Sequence, residues 1–268
     1  MPYLELPDCN LFYTIDDHTD AWTKPETVLF VHGFTETGDA WRAWVPHFSR
    51  RYRMVRIDQR GFGRSGAVAK DFQLTTEIFV DDLVRLINHV SPHEPVHVVG
   101  GKSGGISVAV LAATRPDLVK TITLASSIVT APTADGWIEH MERYGMRSWA
   151  RKTMRNRLGS KMSERGIDWW VDLMGATAVS TAHAYLRWVG AIDIREDVKR
   201  IKCPTLVIGT NAAGKDRDSL SAWQKTIPGS ELVIVPIDGY HAAGTDPDAT
   251  AQVTLDFIAK RGANAAVR

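Results

Sequence analysis

Apolar positions along the chain fall into short unbroken runs set between longer stretches of mixed polarity. TVLFVHG at 27–33, YRMVRID at 52–58, PVHVVG at 95–100, VKTITLASS at 119–127, CPTLVIGT at 203–210 and ELVIVPI at 231–237 predict strands, TVLFVHG and PVHVVG with the continuous apolar pattern of buried ones. LELPD and NLFYTI flank a Pro-Asp-Cys turn and predict an N-terminal hairpin. Helical spacing fills the gaps. TTEIFVDDLVRLINHV at 75–90 is the cleanest amphipathic helix, and GISVAVLAATRP predicts a helix ending before Pro116. DAWRAWVPHF predicts a short or interrupted helix because it contains Pro46. Strands alternating with helices predict right-handed crossovers and a mostly parallel sheet.

The alternation stops after Ser127. From about 134 to 200 the chain reads as helical and rich in tryptophan, with Trp137, Trp149, Trp169, Trp170 and Trp188, before the strand–helix pattern resumes. This predicts core residues 1–130, a helical insertion over the sheet edge at 131–200, and a second part of the core at 201–268.

Composition then narrows the function classes. The chain has 268 residues, 44% hydrophobic and 24% charged, enough to bury a full core. A formal net charge of +1 gives no global case for nucleic acid. The two cysteines, Cys9 and Cys203, form neither a metal spacing nor a disulfide framework, so a cytoplasmic setting is expected. The N-terminal residues do not read as a signal peptide, and no window reaches about 18 apolar residues, so no membrane span is expected.

The chemistry concentrates in VVGGKSGGISVAV at 98–110. Gly101-Lys102-Ser103-Gly104-Gly105 fits G-x-S-x-G between a strand and a helix, the setting of a tight turn that exposes a nucleophilic serine. A phosphate loop would require glycine at position 96, where the chain has Val96. Ser103 needs a base. Of the nine histidines, His241 follows the last predicted strand in PIDGYHAAGTDP, where a loop reaches the same sheet rim, and it is the candidate base. Phe34 and Gly104 are the candidate oxyanion donors, through their N–H groups. His32 reads as a structural residue of its loop.

FVHGF, DQRGFGRSG, GKSGG and GYH occur in that order over nearly the whole chain, which resembles the α/β-hydrolase family in its cap-bearing branch of esterases, lactonases and carbon–carbon bond hydrolases. The resemblance implies the α/β-hydrolase fold: a mostly parallel eight-stranded sheet flanked by helices, with a helical cap inserted after the sixth strand. It also implies an acid three residues after Gly209, where this chain has Ala212. Asn211 is the first candidate to orient His241 instead, with Asp216 and Asp218 as alternatives. Lys102 departs from the family too. A buried ammonium beside a nucleophile is costly unless paired, so it reads as structural, pairing with an acid below the turn or snorkelling outward.

In the insertion, Arg143, Arg147, Arg151 and Arg155 fall at four-residue spacing. The stripe reads first as a solvated outer face; the sharper reading is a rim that steers anionic substrates. Trp137, Trp169 and Trp188 are candidate pocket residues. These observations predict a cofactor-free, metal-free serine hydrolase cleaving a small or medium carboxylic ester or lactone through an acyl-enzyme. The alternatives are a carbon–carbon bond hydrolase of a ring-fission product, a cofactor-free ring-cleaving dioxygenase, and a receptor-like binding protein with little turnover.

Overall fold

The computed structural model describes residues 2–212 and 217–265. Its centre is one eight-stranded sheet: β1 (Tyr3–Leu6), β2 (Cys9–Asp16), β3 (Thr27–Val31), β4 (Arg53–Ile57), β5 (Val96–Gly101), β6 (Val119–Ala125), β7 (Thr205–Thr210) and β8 (Glu231–Val235). The strand order is β1-β2-β4-β3-β5-β6-β7-β8. β1 and β2 pair antiparallel, as does β2 with β4; all later pairings are parallel. β3, β5 and β7 are buried at every position, which is why they read as unbroken apolar runs.

Ten helices serve this sheet among the described residues. α1 (Val45–Phe48) follows a 3₁₀ turn at Gly38–Trp44, with Pro46 marking the interruption expected from the sequence. α2 (Thr76–Val90) starts where the Thr75 hydroxyl accepts the Ile78 N–H at 3.2 Å. α3 (Gly104–Thr114) leaves β5 directly. Between β6 and β7 lie α4 (Trp137–Leu158), α5 (Glu164–Gly175), α6 (Val179–Val189) and α7 (Arg195–Val198). α8 (Arg217–Gln224), α9 (Ala242–Thr245) and α10 (Pro247–Ala265) complete the chain. α4 is broken at Gly145, whose φ of 83° leaves the helical region. The base of the inserted helices is closed by an antiparallel bridge between Thr130 and Asp193. No described helix is long and apolar enough to cross a membrane.

β3 has β4 on one side and β5 on the other, so the chain winds away in both directions from the β3/β5 boundary. The loops leaving these two strands therefore open a crevice at their carboxyl ends, where α/β sheets place their ligands. Two buried clusters hold the sheet from its two faces. One gathers α2, α3 and the inserted helices; the other is built on Phe30, Trp41, Trp44 and Phe48 against α10.

Candidate active site

The chain turns from β5 into α3 at Lys102, whose φ is +51°. Ser103 has ordinary helical angles, φ −70° and ψ −17°, and is the first residue of the helical path. The left-handed conformation costs a residue with a Cβ of the order of 1 kcal/mol or more. The strained residue pushed up at the apex is thus Lys102, which corrects the expectation that Ser103 holds that place. The flanking glycines fit this frame. A Cβ at Gly100 would stand 2.7 Å from the Gly105 Cα, and one at Gly104 would run into the His32 carbonyl. Two further non-glycine residues with positive φ are Thr35 (63°), in the loop after β3, and Ser126 (53°), directly after β6.

Lys102 is buried and forms an ion pair with Glu36 Oε1. Glu36 is 1% exposed, and its other oxygen accepts the Gly33 N–H at 3.0 Å. His241 Nε2 lies 2.8 Å from the same Oε1, while Nδ1 accepts the Gly244 N–H at 3.1 Å. These partners assign the neutral ring with its proton on Nε2, donating to Glu36. Burial pushes the Glu36 carboxyl up, but the Lys102 charge and His241 more than offset it and hold the group well below the usual carboxylate range. Burial and the Lys102 charge lower the His241 imidazole against the opposing pull of Glu36.

The carboxylate that orients His241 is therefore Glu36, from the loop after β3, and not Asn211. Asn211 is exposed at the end of β7, with its N–H on the Ile237 carbonyl at 3.1 Å. Asp218 is exposed on α8, and Asp216 lies outside the described residues. His241 is not bonded to Ser103. The Ser103 hydroxyl oxygen instead accepts the Phe34 N–H at 3.1 Å and the Tyr185 hydroxyl at 2.9 Å. Of the expected oxyanion donors, the Phe34 N–H is engaged by Ser103, and Gly104 stands two residues after the Lys102 apex. His32 is structural, as expected: its Nδ1–H donates to the Gly33 carbonyl at 2.8 Å and Nε2 accepts the Gln59 N–H at 2.9 Å.

Above Lys102 and Ser103 lies a cavity of about 1450 Å³ between the sheet rim and the inserted helices. Trp137 lines it, stacked on Phe34 at 6.3 Å. Trp188 and Trp169 are placed elsewhere. Trp188 donates to the Thr76 hydroxyl at 3.1 Å and faces a smaller cavity, and Trp169 packs on Trp170. Trp170, in turn, lies edge-on to His241 at 4.8 Å.

The basic stripe is a seam between α4 and α5. Arg147 pairs with Asp172, Arg151 with Asp168 and Arg155 with Glu164. Arg143, on the far side of the break at Gly145, lies over the Tyr144 ring instead. Arg157, two residues past the stripe, turns inward: it is 3% exposed and lines the cavity. Glu36, Tyr185, Trp170 and Arg157 are the site residues that sequence pattern alone did not bring out.

The family model for the alpha/beta hydrolase fold matches residues 26–166. The chain is 40% identical over 82 residues to the probable oxidoreductase EphD of Mycobacterium tuberculosis, a match that spans 31% of the chain and only 14% of that protein. It is 26% identical over 190 residues to the (E)-2-((N-methylformamido)methylene)succinate hydrolase of Acinetobacter baylyi, covering 68% of the chain and 71% of the relative. In structure it is similar to the enol-lactonase from Burkholderia xenovorans LB400, with a TM-score of 0.86 at 21% identity, over 96% of this chain and all of that one (100%).

Proposed function

The chain belongs to the α/β-hydrolase family, and from that premise we propose that its reacting group is the Lys102 amine and that it cleaves a carbon–carbon bond next to a ketone or aldehyde carbonyl. The inserted helices serve as the cap over that reaction. The observation that carries this reading is the placement of Lys102 at the apex of the β5–α3 turn with its Nζ on Glu36. A nucleophile, a base in hydrogen-bond contact with it, and a third group orienting the base make up an activated nucleophile. Here the three are Lys102, Glu36 and His241.

The amine must lose a proton before it reacts. Glu36 is held low by the Lys102 charge, against burial that pushes it up. Once the proton passes from Lys102 to Glu36, that charge is gone and burial favours the neutral acid. In a buried pair the neutral form is therefore far more accessible than in water. The free amine adds to the substrate carbonyl carbon, forming the C–N bond as the carbonyl oxygen takes up a proton. Loss of water leaves an iminium. The bond that breaks lies between the α and β carbons: its electron pair forms the enamine double bond and flows toward nitrogen, while a β-hydroxyl gives its proton to a carboxylate or water and departs as an aldehyde, or a β-carboxylate departs as carbon dioxide. The enamine takes a proton at carbon, and water hydrolyses the iminium to return the amine and release the product. His241 holds Glu36 in line through Nε2–H. The substrate is a small molecule, no cofactor enters the sequence of steps, and the proposed setting is the cytoplasm.

Ester or lactone cleavage by Ser103 is the second reading. Its support is that the Ser103 hydroxyl faces the same cavity and that a solved structure of similar fold is an enol-lactonase. It requires His241 to leave Glu36 and turn to Ser103. Borohydride reduction in the presence of an oxo acid separates the two. The imine reading expects a reduced adduct on the peptide carrying Lys102. Absence of that adduct, together with fluorophosphonate labelling of Ser103 and turnover of short esters, would establish the serine enzyme instead.

A further inference from the structure

We propose that Arg157 is the receptor for a carboxylate on the substrate, so that the cavity takes an oxo acid with its acid group on the cap and its carbonyl at Lys102. This rests on the reading that the reaction takes place over Lys102, and it adds a ligand class that the elbow does not specify.

Arg157 is buried at the end of α4. Its Nε donates to the Thr153 hydroxyl at 3.1 Å, but its buried Nη2 has no hydrogen-bond partner among the described residues. Nor does any described carboxylate form an ion pair with it. The other cations around the cavity have acids of their own: Arg195 pairs with Asp193, Lys199 with Glu196 and Lys102 with Glu36. With Lys102 and Glu36 cancelling and His241 neutral, Arg157 leaves one positive charge on the wall that no described residue compensates. A buried charge without a partner is costly, and a fold retains one at a cavity where a ligand of opposite sign completes it.

The surroundings fit a planar anion. The guanidinium carbon lies 5.0 Å from the Trp149 ring centre, 5.5 Å from that of Tyr240 and 5.6 Å from that of Trp137. Aromatic faces stabilise a cation through its π surface and hold the plane still. They offer no acceptor to the N–H groups at its edge. A guanidinium plane held in this way has the geometry to pair with the two oxygens of a carboxylate. The position is also tied to the chemistry, because the Arg157 carbonyl accepts the His241 N–H at 2.9 Å.

The test is calorimetric titration with 2-oxobutanoate, 4-oxopentanoate and 6-oxoheptanoate, each beside its methyl ester, on wild type and Arg157→Gln, with ligand-free melting temperatures for both. At least one acid is expected to bind wild type tenfold or more above its ester, and Arg157→Gln to lose that preference by roughly 10–100-fold. The ligand-free melting temperature of Arg157→Gln should be unchanged or raised, as when a group kept for binding is removed. Equal binding of acids and esters by wild type overturns the proposal. So does an acid preference that survives in Arg157→Gln, above all if that variant melts several degrees lower, since Arg157 is then only a prop. Should Arg157→Gln fail to fold, Arg157→Lys keeps the charge without the planar edge and must show a weakened preference; an undiminished one overturns the proposal. Repeating the titrations in Lys102→Met combined with Glu36→Gln, where no imine can form and no buried anion is left, separates the two readings, because the acid preference must persist there even if the imine reading fails.

Discussion

The β5–α3 turn and the inserted helices each place a buried cation on the wall of one cavity, and they hold it in opposite ways. At the elbow, Lys102 meets Glu36, Glu36 meets His241, and His241 is closed off by the Gly244 N–H. In the cap, Arg157 has three aromatic rings and one hydroxyl around it and no described acid. On the proposed reading, the closed network exchanges a proton within itself and the open one is completed by a charge from outside. The outer face of α4 gives the control, since Arg147, Arg151 and Arg155 are paired with α5 and exposed. The same helix thus carries arginines paired to α5 on its outer face and one inward arginine without a described acid.

The largest effect is expected at the closed network. Lys102→Met should lower turnover by about 10³-fold or more, because no other group stands at the apex. It also strands Glu36 as a buried anion, which should cost about 3–5 kcal/mol of stability. Adding Glu36→Gln should restore the melting temperature without restoring activity. Turnover near wild type in Lys102→Met would remove the elbow from the comparison altogether.

A pH profile tests the closure itself. The folded-state pKa of His241 lies below its ordinary value of about 6.5, so the unfolded chain binds that proton more readily than the folded one. The stability it contributes is complete above pH about 6.5 and is lost as pH falls toward the lowered value. Protonation at Nδ1 would set two N–H groups against each other at Gly244. The value of kcat/KM and the melting temperature should therefore fall together on the acid side, and His241→Asn should flatten both limbs. Activity that rises as pH drops below 6 would contradict the neutral ring.

Ser103→Ala should reduce turnover by less than about tenfold, while the stranded Phe34 N–H and Tyr185 hydroxyl lower stability by about 1–3 kcal/mol. A loss of a thousandfold in kcat would return the nucleophile to Ser103. The smallest effect belongs to the seam. Arg151→Ala removes a half-exposed pair and should change stability by less than about 1 kcal/mol, with substrate affinity untouched. A marked rise in KM for an acid substrate would show that the outer face steers ligand after all.

The sheet was legible because β3, β5 and β7 are buried on both faces and so must be apolar throughout. The elbow was legible as a place but not as a frame. Glycines on both sides of Lys102-Ser103 let either residue stand at the centre of a small-x-x-x-small pattern, and the choice falls to whichever takes the positive φ. In the fold Gly104 packs under the His32 carbonyl and Gly100 against Gly105, contacts between distant or backbone atoms that leave no mark in local sequence. The missing acid was visible at Ala212. Its replacement was not, since Glu36 reaches His241 only through the folding of the β3 loop over the β5 turn. Arg157 hid in a basic run. The break at Gly145 interrupts the helical phase, so the stripe counted from Arg143 describes only its later part, and a two-residue offset turns Arg157 inward.

The far end of α4 does one thing more. Its last turn accepts the His241 N–H through the Arg157 carbonyl, and just beyond it the Ser160 N–H donates to the Asp238 carboxylate, at 3.1 Å to the nearer oxygen. The roof of the chamber is latched to the histidine loop itself. Raising the roof at this end pulls on the backbone that carries His241, and with it on the hydrogen bond that keeps Glu36 facing Lys102. The end of α4 and the loop that carries His241 are therefore one mechanical unit, and neither can shift without breaking these hydrogen bonds.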